Sequence, residues 1–389
     1  MRRHDMKKGG LIVLVLAGLL YAGETPAVKL GGFIQAVGYA GIADTAASVT
    51  DQFVLRRARL DVRINSGGTL EGRIHGDLAC SAPLLDAYLK VKLHPAFAVT
   101  FGKFKHPLSQ ERAQSVPSLM FNDFSYTAQI APNRDLGIRV SGDFANRTFF
   151  YQAAILNGAQ DGSSASGDAS DHKEAAGRLS WKPFANSGHT GLKSFTLGFG
   201  ASYGLQTDEA PGSVCTPVRT KVFAYHAAAK GDGPVLRYSP QIAWYGGKIT
   251  LIGEYVVADH HVSLNGAQET DLRNRAGSLS LAWAIGGGAR KVSGFSPVHA
   301  LDISCGDWGG LELVARIHGF FADAETFPLY ASALSSVSRV ITAEGGLAWY
   351  AADNTCLKLI YTASHFKGGA PDGDRSPERA LTLTGNLTF

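Results

Sequence analysis

Basic side chains recur at alternate positions through the first half of this 389-residue chain. Arg57, Arg59 and Arg63 alternate with Ala58, Leu60 and Val62, and Arg73, Lys90, Lys92, Arg139, Arg178 and Lys182 stand in similar stretches. Asp61, Glu71, Asp77, Asp86 and Asp143 fall on the same phase. A face on which cations outnumber carboxylates attracts anions, and low-dielectric walls around it concentrate the field. Arginine suits phosphate or carboxylate because its planar fork donates two parallel hydrogen bonds. These residues therefore read as a cationic track for small anions. At each position the alternative is that facing Arg and Asp side chains neutralise one another.

Other patterns carry less chemistry. Gly200-Ala-Ser-Tyr-Gly204 has the letters of a hydrolase G-x-S-x-G signature. That signature needs a sharp strand-to-helix turn, and this copy lies along an alternating stretch. His260-His261 reads as part of a solvated loop. Asp161, Asp168 and Asp171 lie in a Gly/Ser-rich segment without the spacing of an EF-hand and read as a flexible polar loop. Glu254, Glu312 and Arg316 read as ion-pair partners. Cys80, Cys215, Cys305 and Cys356 lack metal-type spacing. No catalytic residue, metal or cofactor is expected.

Composition narrows the class. The chain has 46 Gly, 20 Phe, 13 Tyr and 5 Trp, with 45% hydrophobic and 18% charged residues. It is too apolar for disorder and lacks the three-residue glycine period of collagen. The net charge is +4 without a basic run, so nucleic acid is not an expected partner. Only Leu11 to Leu20 is continuously apolar, too short for a membrane-spanning helix. It follows Arg2, Arg3, Lys7 and Lys8 and precedes Ala22 and Gly23, the layout of a secretory signal peptide. Residues 1–22 are thus expected to be removed, leaving 23–389 as one exported domain.

Period-two alternation must position the charged face. Sixteen strands are expected at about 28–40, 53–64, 70–78, 86–93, 97–104, 135–143, 148–157, 174–182, 195–204, 235–245, 248–258, 276–286, 310–318, 342–350, 355–363 and 379–389. Short turns follow strands 2, 4, 6, 10 and 14, whereas 105–134, 158–173, 205–234 and 259–275 read as long loops. The connections 183–194 and 286–309 are longer than this rule prefers. Short turns at one end and long loops at the other suit a transmembrane antiparallel β-barrel in the outer membrane of a diderm bacterium. A secreted carbohydrate-binding β-sandwich shares the alternation, as does a barrel that hydrolyses lipid. The even count, the loop rhythm and an amphipathic last strand ending in Phe389 favour a porin-type barrel over the sandwich. The lipid hydrolase would need Ser and His facing lipid, whereas strand histidines such as His75 fall on the inward phase. A terminal aromatic is the feature that outer-membrane assembly machinery reads.

Phe53-Val-Leu-Arg-Arg-Ala-Arg-Leu60, Phe101-Gly-Lys-Phe-Lys-His-Pro107, Asn133-Arg-Asp-Leu-Gly-Ile-Arg-Val-Ser-Gly142 and Ile155-Leu-Asn-Gly158 are similar to segments of the phosphate-selective porin O and P family. Leu85 to Leu89, Tyr238 to Gln241, Gly253 to Tyr255, Leu311 to Arg316 and Leu347 to Tyr350 continue the resemblance in order. It implies a 16-stranded barrel, usually trimeric, that passes small anions by diffusion. It also implies that the third loop, 105–134, folds inward and narrows the lumen. Phosphate-selective members place two lysines in the segment resembling Ser109 to Pro117; here Arg112 takes the first place and Pro117 the second. Arg57, Asp86 and Arg112 are the expected constriction residues, in a general small-solute or anion porin rather than a dedicated phosphate channel.

Overall fold

The computed structural model describes residues 26–42, 49–81, 83–168, 170–209 and 211–389. The expected signal peptide lies outside them. Sixteen antiparallel strands form the wall. In chain order they are β1 (Ala27–Gly41), β2 (Gln52–Ser66), β3 (Leu70–Asp77), β4 (Leu84–His94), β5 (Phe97–Lys105), β6 (Arg134–Phe144), β7 (Phe149–Leu156) and β8 (Glu174–Trp181). The second half runs β9 (Thr196–Glu209), β10 (Ala229–Tyr245), β11 (Ile249–Leu264), β12 (Gln268–Gly286), β13 (Gly310–Phe321), β14 (Val337–Ala352), β15 (Thr355–Ala370) and β16 (Glu378–Thr388). Each pairs with its sequence neighbour, and β1 also pairs with β16 from Phe33–Thr388 to Gly41–Ala380, closing the cylinder. Closure leaves no unpaired edge.

All sixteen expected strands are present, and the later ones are longer than their alternation suggested. The expected loop 259–275 is largely wall: β11 and β12 run in register from Ile249–Trp283 to Leu264–Gln268, leaving only residues 265–267 as the turn. His260 and His261 therefore belong to a strand rather than a loop. Similarly, β9 and β10 extend into 205–234, and a small ribbon, Val214–Cys215 with Lys221–Phe223, occupies part of the remaining loop. Polar and charged residues on these extensions face other loops instead of lipid, so hydropathy alone underestimated the length of the strands. The 287–309 connection holds a second ribbon, Gly288–Lys291 paired with Gly294–Pro297.

The wall separates two environments. Leu55, Leu60, Ile74, Phe101, Ile138, Ile155, Phe199, Leu279, Leu313 and Leu383 are exposed on the outside, while the intervening residues face inward. On β2 to β4 the inward face is charged, as expected. On β11 to β15 it is partly apolar, which departs from the simple rule of apolar outside and charged inside. Val256, Ala276, Phe320, Val340 and Phe366 project inward and pack against Tyr126 and Ile130 of the loop 106–133, and against Val222 and Phe223 of the loop 210–228. Each fully buried side chain of this size contributes about 1.5–3 kcal/mol. Inward-folded loops thus have a small hydrophobic core of their own, and open space is displaced toward the opposite wall.

A register break on β2 sets the aim of two arginines. Gln35 pairs with Arg57 and Ala36 with Leu55, so Arg56 is an extra residue in a β-bulge. A bulge re-aims a side chain by adding one residue to one strand. Arg56 and Arg57, adjacent in sequence, consequently both reach Asp123.

Candidate permeation site

The loop 106–133 crosses the lumen and is pinned at both walls. At its start a single helical turn, Gln110–Ala113, presents backbone amides to Glu254 of β11. That carboxylate accepts from Gln110 N at 2.8 Å, Glu111 N at 3.0 Å and Ser109 Oγ at 3.1 Å. Glu254, expected to form an ion pair, thus serves as an acceptor for the loop backbone. Glu111 turns back to accept from Ser125 N at 2.9 Å and pairs with Arg316 of β13 at 3.2 Å. At the loop tip Asp123 receives Arg56 Nη2 at 2.6 Å and Arg57 Nη2 at 2.7 Å. Arg57 also donates to Gln35 and to the Asn122 carbonyl. Burial alone would raise the Asp123 carboxyl, but the Arg57 and Arg56 guanidiniums hold it well below the ordinary carboxylate range.

Two cavities lie along the β1–β6 side. The one toward the long-loop end has a volume of about 740 Å³ and is lined by Arg56, Arg57, Arg59, Lys103, Lys105, Arg112, Arg134 and Arg219, with Asp77 and Asp123. The other, toward the chain termini, has a volume of about 440 Å³ and includes Lys29, Asp61, Arg63, Arg73, Pro117 and Phe389. Four residues line both: Arg59, Lys105, Val116 and Arg134. They mark the neck where the two spaces meet.

The neck cations are held in place without all being neutralised. Arg59 Nε donates to Asp77 at 2.8 Å, and Arg134 Nε to Asp86 at 2.8 Å. Lys105 Nζ instead donates to the carbonyls of Gln114 at 2.5 Å and Ala113 at 3.2 Å. A carbonyl orients an ammonium but brings no counter-charge. Arg112 is treated likewise: its Nε donates to Ala128 O at 2.7 Å, and its guanidinium lies 5.0 Å over the Phe124 ring. Burial pushes the Arg112 guanidinium down to about 10, which leaves it charged at neutral pH.

The expected site residues therefore separate into groups. Arg57, Arg59 and Arg112 line the outer cavity, and Arg63 and Arg73 the inner one, where both bind Asp61 at 2.9 and 2.7 Å. Asp86 is 1% exposed and sits behind the lining, bound by His75, Arg73 and Arg134. Lys92 pairs with Glu71 at 2.8 Å, Arg178 donates to Gln241 at 2.7 Å, and Arg139 lies 4.5 Å over Phe104. None of these three, nor Lys90, lines either cavity. Sequence reasoning missed Arg56, Lys103, Lys105 and Arg134. On β5 the alternation ends at Gly102, whose φ of 123° no side-chain-bearing residue adopts easily, and Lys103 and Phe104 beyond it are both buried. That glycine was the available signal.

Elsewhere, Asp161 is not part of a flexible loop. It is buried, with Arg237 Nε at 2.6 Å and His260 Nε2 at 2.9 Å. Burial would raise its pKa, but Arg237 and His260 hold it low. Gly200 to Gly204 runs within β9, paired with strands on both sides. Among the described residues no group of three or more His, Cys, Asp or Glu could hold a metal ion.

Residues 37–382 match the family described as phosphate-selective porin O and P. The chain belongs to that family. This porin is accordingly an outer-membrane channel protein. Its fold is similar to the outer-membrane channel DcaP of Acinetobacter baumannii, at 13% identity over 94% of this chain and 97% of that one, with a TM-score of 0.61. It is also similar to the trimer form of the outer-membrane protein OmpT of Vibrio cholerae, at 10% identity over 94% and 100% of the two chains and a TM-score of 0.59. The anion-selective porin from Comamonas acidovorans matches at 11% identity over 94% and 100%, with a TM-score of 0.58. No curated protein matches the sequence. In a porin of this topology the short-turn end, with both termini, is periplasmic and the long loops are external.

Proposed function

We propose that this porin passes small solutes by passive diffusion with a preference for anions, and that it performs no catalysis. The observation that carries the reading is the neck: the residues common to both cavities are three cations and a valine. An anion arriving from outside meets Arg56, Arg57 and Arg112 first and then passes between Arg59, Lys105 and Arg134. Focusing between low-dielectric walls raises its local concentration. The anion selectivity named for the Comamonas acidovorans neighbour agrees with this direction.

Phosphate is one permeant among several in this reading. Pro117 lies by the neck where a second loop cation would tighten an oxyanion site, so chloride, phosphate and small carboxylates share one path. The working unit is a homotrimer in the outer membrane of a diderm bacterium, surrounded by lipid and delivered by assembly machinery that recognises Phe389. The test is the reversal potential of the purified protein in a planar bilayer under a KCl gradient. Chloride-favouring selectivity is expected; cation preference overturns the assignment.

A further inference from the structure

The periplasmic connection 287–309 is long for that end of a barrel, and its two halves behave differently. The first half folds into the lumen, where Arg290 Nε meets Glu312 at 2.8 Å. The second half turns outward. Leu301 N donates to Ala351 O at 2.6 Å, at the end of β14. Trp308 O accepts from the Trp349 indole at 2.7 Å. Trp349 is on the outer face of β14, between Leu311 and Leu357 of the neighbouring strands, and its neighbours Ala348 and Tyr350 point inward and are buried. The segment 301–308 is therefore laid against the lipid-facing side of the wall.

Among its side chains are large apolar ones that nothing covers. Ile303 is 75% exposed, and Val298 and Trp308 are each 68% exposed. Trp283 and Ile285, at the periplasmic end of β12, are likewise exposed on the outer side of the wall. We propose that the segment 298–308 is an in-plane anchor: it lies in the inner-leaflet interface of the outer membrane, with Val298, Ile303 and Trp308 inserted among phospholipid chains. Continuity with the apolar band of the barrel argues for lipid as the occupant. A tryptophan pair joined by an indole hydrogen bond suits the interfacial level, where one end of the ring is dry and the other wet. The acidic and basic side chains of the segment are Asp302, Asp307 and His299, with no lysine or arginine. The anchor therefore relies on apolar contact with zwitterionic phospholipid, not on attraction to anionic headgroups. This inference stands apart from the anion reading.

The experiment places a nitroxide at Ile303→Cys or, independently, at Trp308→Cys, in a chain carrying Cys80→Ser, Cys215→Ser, Cys305→Ser and Cys356→Ala. Folding is verified by heat-modifiable migration and unchanged conductance. In phosphatidylcholine vesicles, collision rates with oxygen and with a water-soluble nickel chelate are compared with labels at Leu347→Cys, on the outer wall, and Ser81→Cys, in an external loop. We expect both segment labels to resemble the Leu347 label, with oxygen favoured several-fold, and to be unaffected by KCl concentration. Labels that resemble Ser81 overturn the proposal, because the segment then stands in water. Labels shielded from both reagents also overturn it, in favour of contact with a second copy of the chain.

Discussion

Arg57 extends from the barrel wall to Asp123 on the lumen-crossing loop, with Nη2 and Oδ1 2.7 Å apart, and Arg56 shares the same carboxylate. One acid therefore holds two cations that would otherwise repel each other at the pore lining. Asp123→Asn frees both charges and removes the loop's tie to β2. Taking one partner from such a buried arrangement costs about 3–5 kcal/mol. We expect greater open-channel noise together with stronger chloride preference, measured by single-channel recording and reversal potential.

The same clamp should be insensitive to moderate acid. The Asp123 carboxyl is held far below its unfolded value of about 3.9. A depressed carboxylate contributes stability that is fully present above the unfolded pKa and is lost only as pH falls through the folded one. Between about pH 8 and pH 4.5 its contribution is constant, in keeping with the unfolded reference value. Recordings at these limits should show no added closures that Asp123→Asn abolishes; closures abolished by it would refute the assignment.

Position along the path, not charge alone, should decide which cations tune selectivity. A unit charge about 8 Å from a permeating ion in water contributes roughly 0.5 kcal/mol, or about a twofold change in occupancy. Lys105→Gln is expected to lower the chloride-to-potassium permeability ratio by about that factor. Arg178→Gln, bound to Gln241 away from both cavities, should leave the reversal potential unchanged.

The ribbon 288–297 folds into the lumen at the periplasmic end. Arg290 binds both Glu312 oxygens, Tyr350 Oη and the Ser118 carbonyl of the crossing loop, and Phe295 stacks on Tyr350 at 4.4 Å. Glu312→Gln leaves a buried guanidinium short of its counter-charge and should release the ribbon at a cost of about 3 kcal/mol. The expected signature is a second, larger conductance level in single-channel traces. A single unchanged level would show that the ribbon blocks nothing.

Wall residues were legible where the strand keeps step. On β3 and β4 alternation put Arg73, Asp86 and Lys92 on the inner face, and the structure has them there. Alternation failed at two slips of phase, the bulge at Arg56 and the turn of backbone at Gly102, and both lie beside the pore. A one-residue offset moves side chains to the opposite face, so a strictly periodic reading overlooks the cations that local irregularity aims inward. Ion pairing was equally hidden. Lys105 and Arg112 look no different in sequence from Arg63 and Lys92, yet the first two rest on carbonyls and the last two on carboxylates. Contacts between Asp123 and β2 join residues far apart in the chain, and no local pattern encodes them. The apolar inner face at Val256 and Phe320 was obscured because its partners arrive on loops.

The seam between β1 and β16 has a consequence in time. Gly32 N donates to Phe389 O at 2.8 Å, and Phe389 N donates back to Gly32 O at 3.1 Å. Phe389, just past the last strand, is thus a partner of one of the first residues in the wall. Until that seam forms, the nascent cylinder has two raw margins, each a row of unpaired amides and carbonyls able to join any extended chain it meets. The cell must carry the whole polypeptide unsealed from ribosome to membrane, and the act that completes the pore also removes its last opportunity to aggregate.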